Sequence, residues 1–340
     1  MIMATGQSLP GQRRWQRVLG TLMIWLTAAM VTLSVLTAGA FLGLLLWFAG
    51  SWLTAEGMAS GGVLVRFWGN LQQLLFQPSA SLGIEAMLPA IIGTVIMIIL
   101  MTVIVAPLGV LVAVYLSEYA KNTWYTELLR IAIQNLAGVP SVIFGVFGLG
   151  FFVYAVGGEI DGWFYAETLP RPTFGTPGLL WASLTLALLT LPVVIVASEE
   201  GLARLPTSMR EGSYALGATR FETIIRVLLP AAGSSVLTGV ILAIARAAGE
   251  VAPLMLVGVV KYAPTLPVSL QAPFIAFEQK FMHLGFFIYD VAAHANVGEG
   301  RLGLICAAAV LLVGLVMLLN LTAVLLRKRL RDRYQALSEE

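Results

Sequence analysis

Six stretches of this chain are long and apolar enough to cross a bilayer: roughly residues 20–48, 89–116, 128–156, 177–198, 230–259 and 302–326. A helical span needs about 20 predominantly apolar residues, whereas a membrane strand needs only about ten. Inside hydrocarbon every backbone N–H and C=O must be satisfied by the protein itself, so runs of this length are expected to be helices. The expected fold is therefore an all-α membrane protein with six transmembrane helices. Composition agrees, with 59% hydrophobic and 11% charged residues in a chain of 340, against roughly 25% charged in an average soluble domain.

The basic residues set the orientation. With the N-terminus inside, Arg13, Arg14, Arg17, Lys121, Arg130, Arg204, Arg210, Arg220, Arg226, Arg327, Lys328, Arg329, Arg331 and Arg333 fall on the cytoplasmic side. Outside lie Arg66, Arg171, Lys261, Lys280 and Arg301. Cytoplasmic loops carry the excess of Lys and Arg, so both termini are expected in the cytoplasm. The apolar run from Val18 to Phe48 follows "GQRRWQRVLG". It is too long for the core of a signal peptide and is expected to be an uncleaved helix. The apolar stretch "LQAPFIAFEQKFMHLGFFIYD" (270–290) would bury Glu278, Lys280, His283 and Asp290 if it were a seventh span. It would also push the basic tail outside. An interfacial or re-entrant segment is expected there instead.

Several chemistries are excluded. Cys306 is the sole cysteine, so no disulfide or cysteine metal site forms within one chain. His283 and His294, both expected outside the spans, lack a second ligand pair. There is no GxxxxGK[ST] loop, so the chain is expected to have no nucleotide site and no cofactor of its own. A net charge of +2 points to no nucleic-acid partner. An ion-driven transporter would show more intramembrane acids and an internal inverted repeat. One acid lies clearly within the spans, and no repeat is visible.

That acid is Glu250, one helical turn from Arg246, near the expected middle of span five. A charge at that depth costs at least a few kcal/mol unless it is paired or wet. Two readings are open. The two groups form a self-neutralising structural pair, or Arg246 lies on a solute path where its guanidinium meets an oxyanion and Glu250 orients it. Pro107, Pro140, Pro192 and Pro253 are expected to kink helices two to five. They are either ordinary membrane-helix composition or breaks that line a path. Ser141 beside Pro140 offers a hydroxyl at such a break, or simply packs. Trp47, Trp52, Trp68, Trp163 and Trp181 are read as interface markers. Glu118, Glu199 and Glu200, near the inner face, are read as solvated.

Residues 199–229 make the longest internal cytoplasmic loop, and its sequence is punctuated. Ser208-x-x-Glu211 and Thr219-x-x-Glu222 read as two capping boxes. Gly217 between them supplies the positive φ that ends a helix. Pro230 is expected to open span five. A connector needs only a few residues. Thirty ordered ones point to a docking surface.

The spacing E-G-S-x3-G-x9-V-x-L-P, from Glu211, resembles the EAA loop of ABC importer permeases. Glu211, Gly217, Leu229 and Pro230 match it in register, whereas Gly212, Ser213 and Val227 depart conservatively. "LAGVPSVIFGVFGLGFF" (136–152), "LTLPVVIVASEEGL" (189–202), "AIARAAGEVAPL" (243–254) and "FMHLGFFIYD" resemble the phosphate permeases of the PstA kind. Together they cover roughly residues 85–330. The Gly-Glu-Thr-Ala-Pro usual there reads Gly249-Glu250-Val251-Ala252-Pro253 here.

The resemblance implies a MetI-like permease fold in a bacterial inner membrane. It divides the chain into a cytoplasmic N-terminus (1–19), a first helix with its outer loop (20–84), a five-helix permease core (85–326) and a cytoplasmic tail (327–340). It implies a half-channel paired with a second homologous permease. Two ATP-binding cassette subunits, which hold ATP and Mg, would dock on loop 199–229. A binding protein would deliver phosphate from outside. On that reading Ser208, Glu211, Gly217, Thr219, Glu222, Leu229 and Pro230 couple the ATPase to transport, and Arg246, Glu250 and Ser141 line the solute path.

Overall fold

The computed structural model describes residues 10–54, 87–121, 123–168, 170–263, 265–268, 274–294 and 299–339, with residues 65, 69 and 72. The described residues are helical apart from turns, loops and two isolated bridges, Val259 with Phe281 and Val268 with Ile275. In chain order the helices are α1 (Pro10–Leu53), α2 (Leu88–Tyr119), α3 (Trp124–Leu136), α4 (Ser141–Phe164) and α5 (Leu179–Ala203). They continue as α6 (Thr207–Ala215), α7 (Arg220–Gly249), α8 (Leu254–Val257), α9 (Leu284–His294) and α10 (Glu299–Glu339). Six of them, α1, α2, α4, α5, α7 and α10, contain a stretch long and apolar enough to cross a membrane.

α5 is the most enclosed of the six and packs between α2 and α7. Lipid tails are as apolar as leucine, so membrane helices associate by close approach of small residues. Gly109 of α2 sits against Val194 of α5, and Gly239 of α7 against Ala197 of α5. Gly201 of α5 receives Ser235 of α7. Met97, Met101 and Val105 of α2, Leu186 of α5 and Ala243 and Ala247 of α7 fill the space between. Thr94, Ser183, Thr185 and Thr190 donate to carbonyls one turn back in their own helices, which satisfies their hydroxyls without water. α10 covers α7 and carries α1 on its other side.

Hydropathy located the six spans but missed two breaks. The third was expected at 128–156. Instead, α3 ends at Leu136 as a separate amphipathic helix, and Pro140, lacking an N–H and holding the residue before it out of the helical region, starts α4 at Ser141. The fifth was expected at 230–259, but α7 stops at Gly249 and Glu250 is already extended. Pro107 and Pro192 do lie inside their helices, whereas Pro140 and Pro253 precede new ones.

The segment after α8 is neither a seventh span nor a surface ribbon. Phe281, Met282 and His283 are buried, so His283 lies outside the six apolar spans, as expected, yet inside the protein. The segment supplies hydrogen bonds that α5 lacks at its start. Leu179 and Leu180 N–H donate to the Gln279 and Phe277 carbonyls, both at 2.9 Å. Gly178 N–H donates to the Val257 carbonyl at 3.0 Å. A helix start leaves four such donors unpaired. Trp47 and Trp163 are exposed, as interface markers would be. Trp181 is not such a marker: it is buried and its indole N–H donates to the Phe174 carbonyl at 2.7 Å. Trp68 lies outside the described residues, as does the side chain of Trp52.

Candidate functional site

The punctuated loop folds as an elbow of α6, a glycine turn and the start of α7. Pro206, with φ −63° and ψ 144°, takes the flanking position of α6. Ser208 therefore falls inside the helix and makes no cap, so the first expected capping box is not formed. After Ala215 the chain turns at Gly217, whose φ of +84° a side chain would resist. Gly217 N–H donates to the Tyr214 carbonyl at 2.9 Å, and Ala218 N–H to the Ser213 carbonyl at 3.2 Å.

The second box is formed. Glu222 N–H donates to Thr219 Oγ1 at 3.3 Å, and Thr219 N–H to Glu222 Oε2 at 2.9 Å. The Ser213 and Thr223 hydroxyls, 2.9 Å apart, tie the two arms together. Pro230 lies in the first turn of the α-helical part Leu229–Gly249, which continues a helix already running from Arg220. It follows a wide π-helical turn, Ile224–Leu228, and the extra residue in such a turn accommodates the ring and its missing donor. Leu229 precedes it within the same helix. Glu211 and Gly212 are exposed, and the apolar tip is exposed too, Leu216 at 91% with Phe221 and Tyr214 beside it.

Arginines fasten the elbow. Arg210 Nη2 donates to Glu118 Oε1 at 2.7 Å and to the Leu202 carbonyl at 3.1 Å, while Nη1 donates to the Leu205 carbonyl at 3.0 Å. The Glu118 side chain is 6% exposed and that of Arg210 20%, so Glu118 is not solvated. Hydrogen bonding to Glu118 holds the Arg210 guanidinium above its ordinary value, against the opposing effect of burial. Arg130 of α3 donates to Glu199 Oε1 at 2.7 Å and to the Leu116 carbonyl at 3.0 Å, so Glu199 too is held. Glu200, with Arg204 at 3.2 Å, is the exposed member of the three acids. The one sequence signal for these contacts was an acid, Glu118, closing an apolar run.

The second constellation lies at the far end of α7. Arg246 is in its last turn, where a cation suits the helix dipole, and Glu250 stands just beyond the last helical residue. Arg246 Nε and Glu250 Oε1 are 3.7 Å apart, an ion pair too long for a hydrogen bond. Their side chains are 34% and 20% exposed, so the pair is neither sealed nor fully solvated. It sits at a helix end rather than in mid-helix. Ser141 is the half-buried first residue of α4, and one turn on Gly145 abuts Pro253, three residues past Glu250. Ser141 makes no hydrogen bond to either member of the pair. Among the described residues no cluster of three metal-binding side chains occurs.

Residues 106–334 match the family of the binding-protein-dependent transport system inner membrane component. The Probable ABC transporter permease protein YqgH of Bacillus subtilis is 38% identical over 58% of this chain and 60% of its own length. The Phosphate transport system permease protein PstA of Yersinia pestis is 37% identical over 49% of this chain and 50% of its own. PstA 1 of Mycobacterium tuberculosis is 31% identical over 70% of this chain and 68% of its own. The chain thus spans about half to two thirds of the length of these relatives. A solved bacterial alginate ABC transporter has the same fold, with a TM-score of 0.58 at 16% identity over 92% of this chain and 96% of that one. The matched residues include both the elbow and the Arg246–Glu250 pair, and six apolar helices make the protein a multi-pass membrane protein: the chain belongs to the family of binding-protein-dependent transport system inner membrane components.

Proposed function

We propose that this chain is a transmembrane subunit of an ATP-driven importer that carries inorganic phosphate into the cytoplasm by alternating access. The observation that carries the reading is the elbow. It is exposed and capped, and it bears the spacing from Glu211 to Pro230 that resembles a coupling loop. The excess of Lys and Arg on that side supports a cytoplasmic position for the elbow and for both termini. Two ATP-binding cassette subunits would dock there, holding ATP and Mg. A second homologous permease would complete the channel in a bacterial inner membrane, and an external binding protein would supply the solute.

Relatives named as phosphate permeases support phosphate as that solute. So does a permanently charged guanidinium in the half-exposed pair at the end of α7, because its planar fork matches phosphate oxygens. Glu250 competes for the same guanidinium across 3.7 Å, which keeps anion binding weak enough for release. Val251 occupies the position where the resembled motif has threonine, so phosphonate, molybdate and sulfate are the competing oxyanions.

The test is ATP hydrolysis in proteoliposomes that hold this chain, its paired permease, the ATPase and the binding protein. Stimulation by phosphate alone is expected. Stimulation by another of these anions would retain coupling and replace the solute. Failure of the chain to assemble with any ATPase would overturn the reading of the elbow. Arg246→Ala is expected to abolish uptake while assembly and thermal stability stay unchanged, since a half-exposed pair contributes about 1 kcal/mol or less to stability. Wild-type uptake in that variant would make the pair purely structural.

A further inference from the structure

The last turn of α2, Tyr115–Tyr119, is where three arginines from three other helices converge. Arg130 of α3 reaches the Leu116 carbonyl at 3.0 Å. Arg210 of α6 grips the Glu118 carboxylate at 2.7 Å, 92 positions away in sequence. Arg220, the first residue of α7, stands over the Tyr119 ring at 4.9 Å. Two of these cations also hold the end of α5. Arg210 takes the Leu202 and Leu205 carbonyls, and Arg130 takes Glu199.

Helix stability alone does not account for this turn. An acid in the last turn faces the negative end of the helix dipole. A nearly buried carboxylate is unfavourable unless it is paired. The turn itself is π-helical, closed by Ala120 N–H on the Tyr115 carbonyl at 2.8 Å, a rare geometry that is frequent at functional sites. The buried carboxylate becomes tolerable once Arg210 is in place. What the contacts achieve together is mechanical: the elbow is fastened to α2 and α5 as well as continuing covalently into α7.

We propose that the Glu118–Arg210 pair is a positioning element that makes the elbow, the end of α2 and the end of α5 one rigid body. This deepens, and rests on, the coupling reading above. A push on the elbow then follows two routes. One runs along α7 by covalent continuity. The other passes through Arg210 into α2 and α5, whose interlocked Gly109–Val194 contact carries it into the membrane.

The test uses Glu118→Gln, which keeps the shape and removes the charge. In the reconstituted importer it is expected to assemble and hydrolyse ATP, while phosphate moved per ATP falls by about fivefold or more, the lower end of coupling between sites. Arg210→Lys keeps a charge but loses the fork, and falls in the same direction. An unchanged ratio in both variants would overturn the proposal. If the wild-type complex moves no phosphate, the transport reading fails instead, and the clamp is judged in the chain alone. Spin labels on Leu216→Cys and Lys121→Cys, both exposed, then report the distance from elbow to α2 in nanodiscs. A narrow distribution that broadens with Glu118→Gln upholds the clamp, and equal widths overturn it.

Discussion

The two ends of α7 are held by different physics. Its beginning is held by charge over a small apolar cluster: Arg210 on Glu118, Arg220 over Tyr119, and the Thr219–Glu222 cap. Past the Arg246–Glu250 pair at its other end, the chain is held by shape: Gly258 against Gly178, Gly145 against Pro253, and backbone hydrogen bonds from Gly178, Leu179 and Leu180 to residues beyond α7. The first end is an exposed elbow seated on a small apolar cluster of Val114, Leu202, Ile224, Leu228 and Ala232, where long cationic side chains reach across the remaining gaps. The second is packed among spans, where small residues bring backbones together. Charge contacts reach far along the sequence and tolerate adjustment. Backbone contacts tolerate very little.

The comparison breaks most visibly at Gly258. Its φ is +154°, and a Cβ there would lie 2.7 Å from the Gly178 carbonyl oxygen. Gly258→Val is expected to cost more than about 3 kcal/mol and to leave little monodisperse protein on size-exclusion chromatography. A normal yield would show that this end is softer than its contacts imply. At the charged end, Glu118→Ala should cost about 2–4 kcal/mol, because it strands Arg210. Arg204→Ala, which removes an exposed pair on the same face, should cost under about 0.5 kcal/mol. Thermal unfolding in detergent measures both, and equal shifts would contradict the distinction between held and solvated pairs.

A third effect tests the buried segment near Gly258. Burial pushes the His283 imidazole down to about 4 from its ordinary 6.5. The unfolded chain therefore takes up this proton as pH falls through 6.5, while the folded chain does not. Stability is complete above that pH and declines towards pH 4, by about 2 kcal/mol at pH 5. His283→Asn retains an acceptor for the Gly285 N–H, which now donates to Nδ1 at 3.1 Å, and should abolish that share of the acid sensitivity. An unchanged pH profile would mean that His283 is not the group responsible. A small effect of opposite sign is Gly212→Ala on the open face of α6, expected to stabilise by about 0.5–1 kcal/mol and to leave docking intact.

What could be read beforehand was local. Six apolar runs, the turn at Gly217 and the Thr219–Glu222 cap each depend on neighbours in sequence, and each is in place. The Ser208 box failed because Pro206 started the helix too early for serine to cap it. Arg246 and Glu250 were correctly paired but set in mid-helix, since hydropathy runs unbroken past the point where α7 stops at Gly249. Glu118 looked solvated because its partner, Arg210, is 92 positions away. No periodicity within one helix carries that information. His283 lies outside the six apolar spans as expected, but its burial was not legible for a related reason: the backbone donors of α5 that draw its segment inward belong to a distant part of the chain.

The unbroken course of α7 has one more consequence. Arg220 stands at the elbow and Arg246 at the pair with Glu250, and at 1.5 Å per residue about 39 Å of helix separates them. Such a rod is a lever. If it pivots at the π-helical turn by about 5°, the far guanidinium sweeps about 3 Å, comparable to a hydrogen-bond length. That distance decides whether Arg246 leans on its carboxylate or on something else. A displacement at one face of the membrane too small to unfold any contact there would thus arrive at the other end as a change of partner.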